Sequence, residues 1–497
     1  MIWLHSIPLI CILLTLLTAA VSLPGRGRWG EGLCLLTAGA VTVLSAALLV
    51  DLWRTGESFT FAMGHFPAPW GNELRAGVFE ALMAAAFSAV ALCSLLAGRE
   101  RIRQDIAPAR LGVYYAQCSL LLCSLLALIY TNDMFTAYVF IEINTLTACA
   151  IVVAKDTPET VLATIRYLFM SLLGSGLFLI GVILLYAITG HLLMPNILAA
   201  MSQLAASGEY ALPTGMIILL LSLGLAVKSA LFPFHTWLPS AHGSATTASS
   251  AILSGIVLKG YVVLLLKIFY RVFGLEFVHR LRTPDLLFVL GLAGMLMGSV
   301  LAIRERDIKR MLAYSSVAQI GYIFMGIGLS TLTGTVAACF HILTHAVTKP
   351  LLFCAADGLM EASGRQRDIF AMKGAGRRNL LAGVAFAVGA LSMVGIPLFS
   401  GFVSKLYFAL GSLGDPDKML PALLMLVLSA VLNAMYYLPV LVTIYMGDPV
   451  DGALRLERAK NKGGYILAVG ALIGLNFVLG IRYPAVIAAI ERGLATL

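Results

Sequence analysis

Apolar residues in this chain neither alternate with polar ones nor form a single helical stripe. They come in long runs separated by short polar intervals, from one end to the other. A run of ~20 apolar residues is what a helix needs to cross a bilayer. Lipid offers no partner to unpaired backbone groups, so uninterrupted runs without period-two alternation predict helices rather than a barrel. The pattern therefore predicts an all-α polytopic membrane protein of about 14 transmembrane helices. The first run, residues 2–23, lacks a basic leading segment. It is followed by Pro24-Gly25-Arg26-Gly27-Arg28 instead of a small-residue cleavage site, which predicts a retained span rather than a signal peptide.

Four units follow from the spacing of the runs. Residues 1–105 hold helices 1–3, with an outside loop containing Pro67-Ala68-Pro69-Trp70-Gly71. Residues 106–275 hold helices 4–8, and residues 276–446 hold helices 9–13. Residues 447–497 form a charged cytoplasmic loop and a last helix. Each five-helix block contains one helix interrupted by proline, at Pro233 in the first and Pro397 in the second. An odd number of spans turns the second copy upside down relative to the first, which predicts two inverted five-helix repeats.

Composition narrows the class. The chain of 497 residues is 60% hydrophobic and 12% charged, which excludes an ordinary soluble protein. Its formal charge of +9 does not point to nucleic acid, because the charges sit in short loops between spans. With the N-terminus outside, the inner loops carry Arg26 and Arg28; Arg99, Arg101 and Arg103; and Arg304, Arg306, Lys309 and Arg310. They go on to carry Arg365, Arg367, Lys373, Arg377 and Arg378, then Arg455, Arg458, Lys460 and Lys462. The opposite loops hold mainly Arg54, Arg75, Arg271, Arg280, Arg282 and Lys418. The positive-inside rule then predicts a cell (inner) membrane protein with both termini non-cytoplasmic. The eight cysteines fall in apolar runs and read as packing residues. No Walker A sequence, dinucleotide fingerprint or cysteine cluster is recognisable, so no cofactor and no metal are predicted. With no redox or hydrolytic site of its own, the chain must draw on an ion gradient or a partner.

Against this background the charges inside the runs stand out. A charge at mid-membrane depth costs ~2.5–3.5 kcal/mol on insertion scales and marks function by default. Lys228 lies in the apolar stretch 217–234, next to Ser229; Pro233 follows five residues later, then His235 and His242. Lys405 stands in a matching position in the second half, beside Ser404 and just after Gly395-Ile396-Pro397. Glu142 lies inside a span, where a nearby lysine would keep it ionised. Lys259 is deep in another run, and Lys267, two turns on, reads as a snorkelling anchor. His341, His345 and Lys349 are spaced i, i+4, i+8 and fall on one face of one helix, a stripe that can pass protons through water. Glu80, in the third span, fits a structural or a functional role equally.

These stretches resemble the antiporter-like subunits of respiratory complex I and of Mrp-type cation/proton antiporters, related also to membrane-bound hydrogenase subunits. The resemblance runs roughly from Tyr114 to Tyr445. Residues 306–322, Arg306-Asp307-Ile308-Lys309-Arg310-Met311-Leu312-Ala313-Tyr314-Ser315-Ser316 onward, are close to the family's R-D-I-K-R-L-L-A-Y-S-S. His341 to Phe353 is similar to its H-x-x-x-H-A-x-x-K-x-x-L-F, and Gly395 to Lys405 to its G-I-P-P-x-x-G-F-x-x-K. The resemblance implies that Glu142 and Lys228 are the helix-five glutamate and helix-seven lysine of the uptake half. It likewise makes Lys259 the central helix-eight residue, His341 and His345 the helix-eleven connection, and Lys405 the exit-side lysine of the Mrp D type. Two departures lie in the loop beneath the first half-channel. Ser240 stands where the family commonly has Asp, and Thr246-Thr247-Ala248 replaces a proline-containing string.

The reading that follows is a proton-translocating antiporter-like subunit of a multisubunit complex. Its partners would be other membrane subunits of an Mrp-, hydrogenase- or complex I-like assembly, its cargo protons, with Na+ left open. Two alternatives remain at this stage: a self-sufficient secondary transporter of a cation or solute, and a structural or quinone-site subunit of an electron-transfer complex.

Overall fold

The computed structural model describes residues 2–23, 27–63, 66, 72–207, 211–447 and 461–497. The loop residues 67–71, Arg26, and Arg455, Arg458 and Lys460 lie outside the described residues. Twelve helices are long and apolar enough to cross a membrane, and two shorter apolar helices fall in line with them. In chain order the fourteen are α1 Ile7–Ser22, α2 Gly27–Thr55, α3 Val78–Asp105, α4 Leu111–Tyr130, α5 Met134–Val153, α6 Pro158–Thr189 and α7 Ala211–Lys228. They continue with α8 Thr247–Phe273, α9 Thr283–Arg304, α10 Ile308–Gly328, α11 Leu332–Glu361, α12 Leu380–Val394, α13 Pro416–Tyr445 and α14 Gly463–Ile481. The polytopic helical architecture expected from the hydropathy pattern is the observed one.

Local chemistry sets the helix starts. Asp133 accepts from the Thr136 amide at 2.7 Å to open α5, and Asp307 accepts from the Lys309 and Arg310 amides to open α10. Pro158 follows the capping Thr157 at the start of α6, where its missing N–H is harmless. Packing follows from which helices are apolar all round. The helices α8 and α11 are wholly buried in protein along their most apolar stretches, whereas α13 and α14 are 28% buried there and leave most of their surface exposed. The buried pair forms the axis of the molecule and carries Lys259, His341, His345 and Lys349. Lipid tails give helices no hydrophobic reason to associate, so close contact relies on small residues. At Gly291 of α9 a side chain would collide with the α10 backbone at Met325.

The two interruptions differ in detail from a simple proline break. α7 ends at Lys228 itself; the turn passes through Ala230 at φ 57° and a cis Phe232–Pro233 bond before a short helix, Trp237–Ser244. α12 ends at Val394, Gly395 turns the chain at φ 97°, and helix resumes as Ser400–Ser412 beyond Pro397.

Three features were not anticipated. The loop after α2 carries a hairpin, β1 Phe59–Ala62 antiparallel to β2 Glu73–Ala76. Its Arg75 pairs with Glu80 at 2.7 Å and also donates to the Thr496 carbonyl, so Arg75 ties the hairpin to α3 and to the last helix. A final helix, Tyr483–Ala495, follows α14. Lys267 is no snorkelling anchor: it is fully buried and donates to the carbonyls of Ile129 and Thr131 at 2.6 and 2.5 Å, capping the end of α4.

Candidate functional site

The site begins where α5 meets the end of α7. Lys228 is 1% exposed, and its Nζ stands 3.9 Å from Glu142 Oε1. Its short hydrogen bond, 2.6 Å, goes instead to Thr145 Oγ1, one turn along α5 from Glu142. Thr145 went unremarked in the sequence, although i, i+3 spacing puts it on the same helix face as the carboxylate. Close approach of α6 makes room for the lysine stem: a side chain at Gly174 would run into Gly224 and the Lys228 methylenes. The ammonium also faces the ring of Tyr261 of α8 at 5.9 Å. Tyr261 Oη donates to Asn144 Oδ1 at 2.8 Å, and Asn144 donates to Ser124 at 2.9 Å.

From this cluster the polar groups pass to the molecular axis. Ser229 donates to the carbonyl of Leu258 at 3.3 Å, next to Lys259. Lys259 is wholly buried, and its ammonium takes the Ser254 carbonyl within a π-helical segment, Leu253–Val257. The wider turn is where such bulges recur at functional positions. Ser254 shares a 2.9 Å hydrogen bond with Ser316 of α10. The adjacent Ser315 accepts from Lys349 Nζ at 2.6 Å, and Tyr437 of α13 lies 3.3 Å from the same ammonium.

On α11 the stripe continues. The rings of His345 and His341 are parallel and 6.1 Å apart. His341 Nδ1 is 2.9 Å from Ser404 Oγ, on the helix that resumes after Gly395. Tyr322 of α10 stacks on His341 at 5.5 Å, and the Lys405 ammonium lies 5.5 Å from the centre of the Tyr322 ring. Lys405 donates to the carbonyls of Met393 and Val394 at 2.9 and 2.5 Å, which the interruption of α12 leaves without helical partners. Both nitrogens of His345, Nε2 of His341 and the Tyr322 hydroxyl have no hydrogen-bond partner among the described residues.

His242, in the short helix beyond the break in α7, is buried, with its ring against Phe353 of α11 at 4.9 Å. His235 is nearly buried and faces Phe232 within the break. Lys228, Lys259, His341, His345 and Lys349 are thus buried in one series, with the part-buried Glu142 and Lys405 at its two ends. Thr145, Ser254, Ser315, Ser316, Tyr322 and Tyr437 fill the intervals. Hydrogen bonds and ring contacts join Lys228 to Thr145, Ser254 to Ser316, Lys349 to Ser315, and His341 to Ser404 and Tyr322.

Comparison with known proteins adds to this geometry. The family described as NADH:quinone oxidoreductase/Mrp antiporter, TM, matches residues 131–432. A NADH-quinone oxidoreductase subunit N from Desulforudis audaxviator (strain MP104C) is 34% identical over 465 residues, 92% of this chain and 88% of that one. A D-type Na(+)/H(+) antiporter subunit from Bacillus subtilis (strain 168) is 27% identical and covers 90% of this chain and 88% of its own. Among solved structures, a chain of the Mrp complex from Dietzia sp. DQ12-45-1b superposes with a TM-score of 0.88 at 23% identity, covering 100% of this chain and 98% of that one. A chain of the membrane-bound sulfane sulfur reductase, an archaeal respiratory membrane complex, does so with a TM-score of 0.85 at 25% identity, covering 99% and 96%.

Proposed function

The chain belongs to the NADH:quinone oxidoreductase/Mrp antiporter transmembrane family, and we propose that it is a proton-translocating, antiporter-like subunit of a multisubunit membrane complex. Its partners are the other membrane subunits of an Mrp- or complex I-like assembly. One observation carries the reading: titratable side chains, interspersed with hydroxyl groups, succeed one another from Glu142 to Lys405 between two interrupted helices. Isolated charges at this depth are expensive, so a series of them is retained for transport.

The proton reaches Lys228 from the first interruption and passes by Lys259 to the α11 histidines. It leaves past Lys405 at the second interruption. Glu142 adjusts the proton affinity of Lys228 electrostatically, because a carboxylate nearby favours the ammonium and its withdrawal favours release. The unpaired nitrogens of His341 and His345 support water-borne transfer along the axis, since buried polar atoms at such positions are ordinarily held by water. The two interrupted helices, α7 and α12, are each the fourth of a five-helix block, residues 106–275 and 276–446. That equivalence supports division into two inverted repeats flanked by 1–105 and 447–497. The arginine-rich loops face the cytoplasm in this scheme, and both termini lie on the opposite side.

The test is ion transport in inverted vesicles containing the whole complex, comparing wild type with Lys228→Ala and Lys405→Ala. Both variants are expected to assemble and to lose ΔpH formation or cation/proton exchange. Undiminished transport in an assembled variant would mean that the lysines are structural and that the route lies in another chain. Transport by the purified single chain would instead mark a self-sufficient transporter.

A further inference from the structure

A cavity of about 620 Å3 opens on the arginine-rich face, between the start of α6, the inner half of the broken α7 and the start of α10. That volume lies within the ~300–1,000 Å3 typical of small-molecule sites. Lys155, Arg166, Arg310 and Arg367 line it, against only two carboxylates, Glu159 and Asp307. Three of the cations already have acidic partners: Lys155 with Asp105 at 3.2 Å, Arg310 with Glu305 at 3.1 Å and Arg367 with Asp307 at 3.7 Å. Arg166 has neither an ion pair nor a hydrogen bond among the described residues.

The position of Arg166 is the informative part. It stands eight residues into α6, ~12 Å beyond the helix start. Its neighbours on the outward face are apolar and exposed: Leu162 at 50%, Ile165 at 45% and Phe169 at 71%. Leu162 also lines the cavity. One wall of the cavity is therefore cationic while its lateral edge runs onto a surface made for acyl chains. An unpaired guanidinium beside hydrocarbon is unfavourable, and a phosphate offers it two parallel charge-assisted hydrogen bonds. Basic pockets between helices on the inner face of a membrane suit anionic headgroups for the same reason.

We propose that this cavity binds the headgroup of one anionic phospholipid. The phosphate pairs with Arg166, Lys155 and Arg310 surround it, and the acyl chains lie along Leu162, Ile165 and Phe169. The lipid then braces Pro239, Ser240 and Gly243, the segment that follows the interruption after Lys228. The site depends on the chain's spanning a membrane and not on the proton route, so its failure leaves that route untouched.

Native mass spectrometry of the whole complex tests this, after delipidation and titration with phosphatidylglycerol or phosphatidylcholine, with and without excess inorganic phosphate. Wild type is expected to retain one more phosphatidylglycerol than Arg166→Gln, whose affinity for it is about tenfold weaker. Arg310→Gln, which leaves α6 unaltered, should weaken retention in the same direction and keeps the test open if the first variant fails to assemble. Phosphatidylcholine should not occupy the site. Equal retention of phosphatidylglycerol by wild type and both variants overturns the proposal. Binding of inorganic phosphate with no phosphatidylglycerol retained by wild type also overturns it, because the cavity would then be a site for a free anion.

Discussion

Lys228 gives its short hydrogen bond to a neutral hydroxyl, Thr145 Oγ1 at 2.6 Å, and keeps Glu142 at 3.9 Å. A carboxylate at that separation interacts by roughly 1 kcal/mol in water and about 4 kcal/mol at an effective dielectric of 20, and the energy changes steeply with small movements. The hydroxyl meanwhile holds the ammonium in place whether or not Glu142 moves. Thr145→Val keeps the shape and removes the acceptor, which withdraws a hydrogen bond to a charged group worth about 1.5–3 kcal/mol. Proton translocation by the assembled complex should fall about tenfold or more, and Thr145→Ser should restore it. Wild-type ΔpH formation by Thr145→Val would show that the hydroxyl has no part in the step. The same residue explains a limit of sequence reading. Charges such as Lys228 and Lys405 are conspicuous in an apolar run, whereas Thr145, Ser315 and Ser316 are not, because a hydroxyl in a helix can satisfy itself on the preceding turn. Thr145 Oγ1 does so on the Ile141 carbonyl at 2.9 Å.

The order of the helices was legible for a plain physical reason: each must supply ~20 apolar residues to cross lipid, and nothing else in the chain produces that length. The two interruptions were legible too, through a lysine and a proline close together. Their form was not, since Gly395 at φ 97° and Ala230 at φ 57° rather than the prolines turn the chain. The hairpin escaped notice because its strands have four residues each, too short for alternation to register. The π-helical segments Leu253–Val257 and Phe269–Phe273 leave no mark in an apolar run at all. The second interruption makes a sharp demand at Gly401, where a side chain would be driven into the Ser392 carbonyl. Gly401→Val should therefore push Ser400–Ser412 away from α12. That shift takes Ser404 off His341 and Lys405 off the Met393 and Val394 carbonyls. The expected result is a lower thermal unfolding temperature together with lost transport. Gly470→Val, at a position with nothing within 4 Å, is the control and should leave both unchanged. Equal behaviour of the two variants would mean that the return helix tolerates displacement.

At the scale of the whole molecule the route has a direction only if the faces of the protein are assigned, and the loop charges argue for one assignment. Arg99, Arg101, Arg103, Arg310, Arg367 and Arg378 all belong to loops or helix ends on one face, and ion pairs knit that face together. Arg99 and Arg103 share the buried Glu31, Lys155 pairs with Asp105, and Lys462 pairs with Glu100 at 2.6 Å. The end of α3 is thus tied to α2, to the α5–α6 turn and to the start of α14. These pairs fasten α3 to its neighbours on both sides. The positive-inside rule predicts a cytoplasmic position for this face. All eight native cysteines are buried, which makes introduced ones distinguishable. A cysteine at Arg377 should react with a membrane-impermeant maleimide only in inverted vesicles, and one at Glu57, beside the hairpin, only in right-side-out vesicles. The reverse pattern would turn the molecule over, and with it the sense in which protons pass from Lys228 to Lys405.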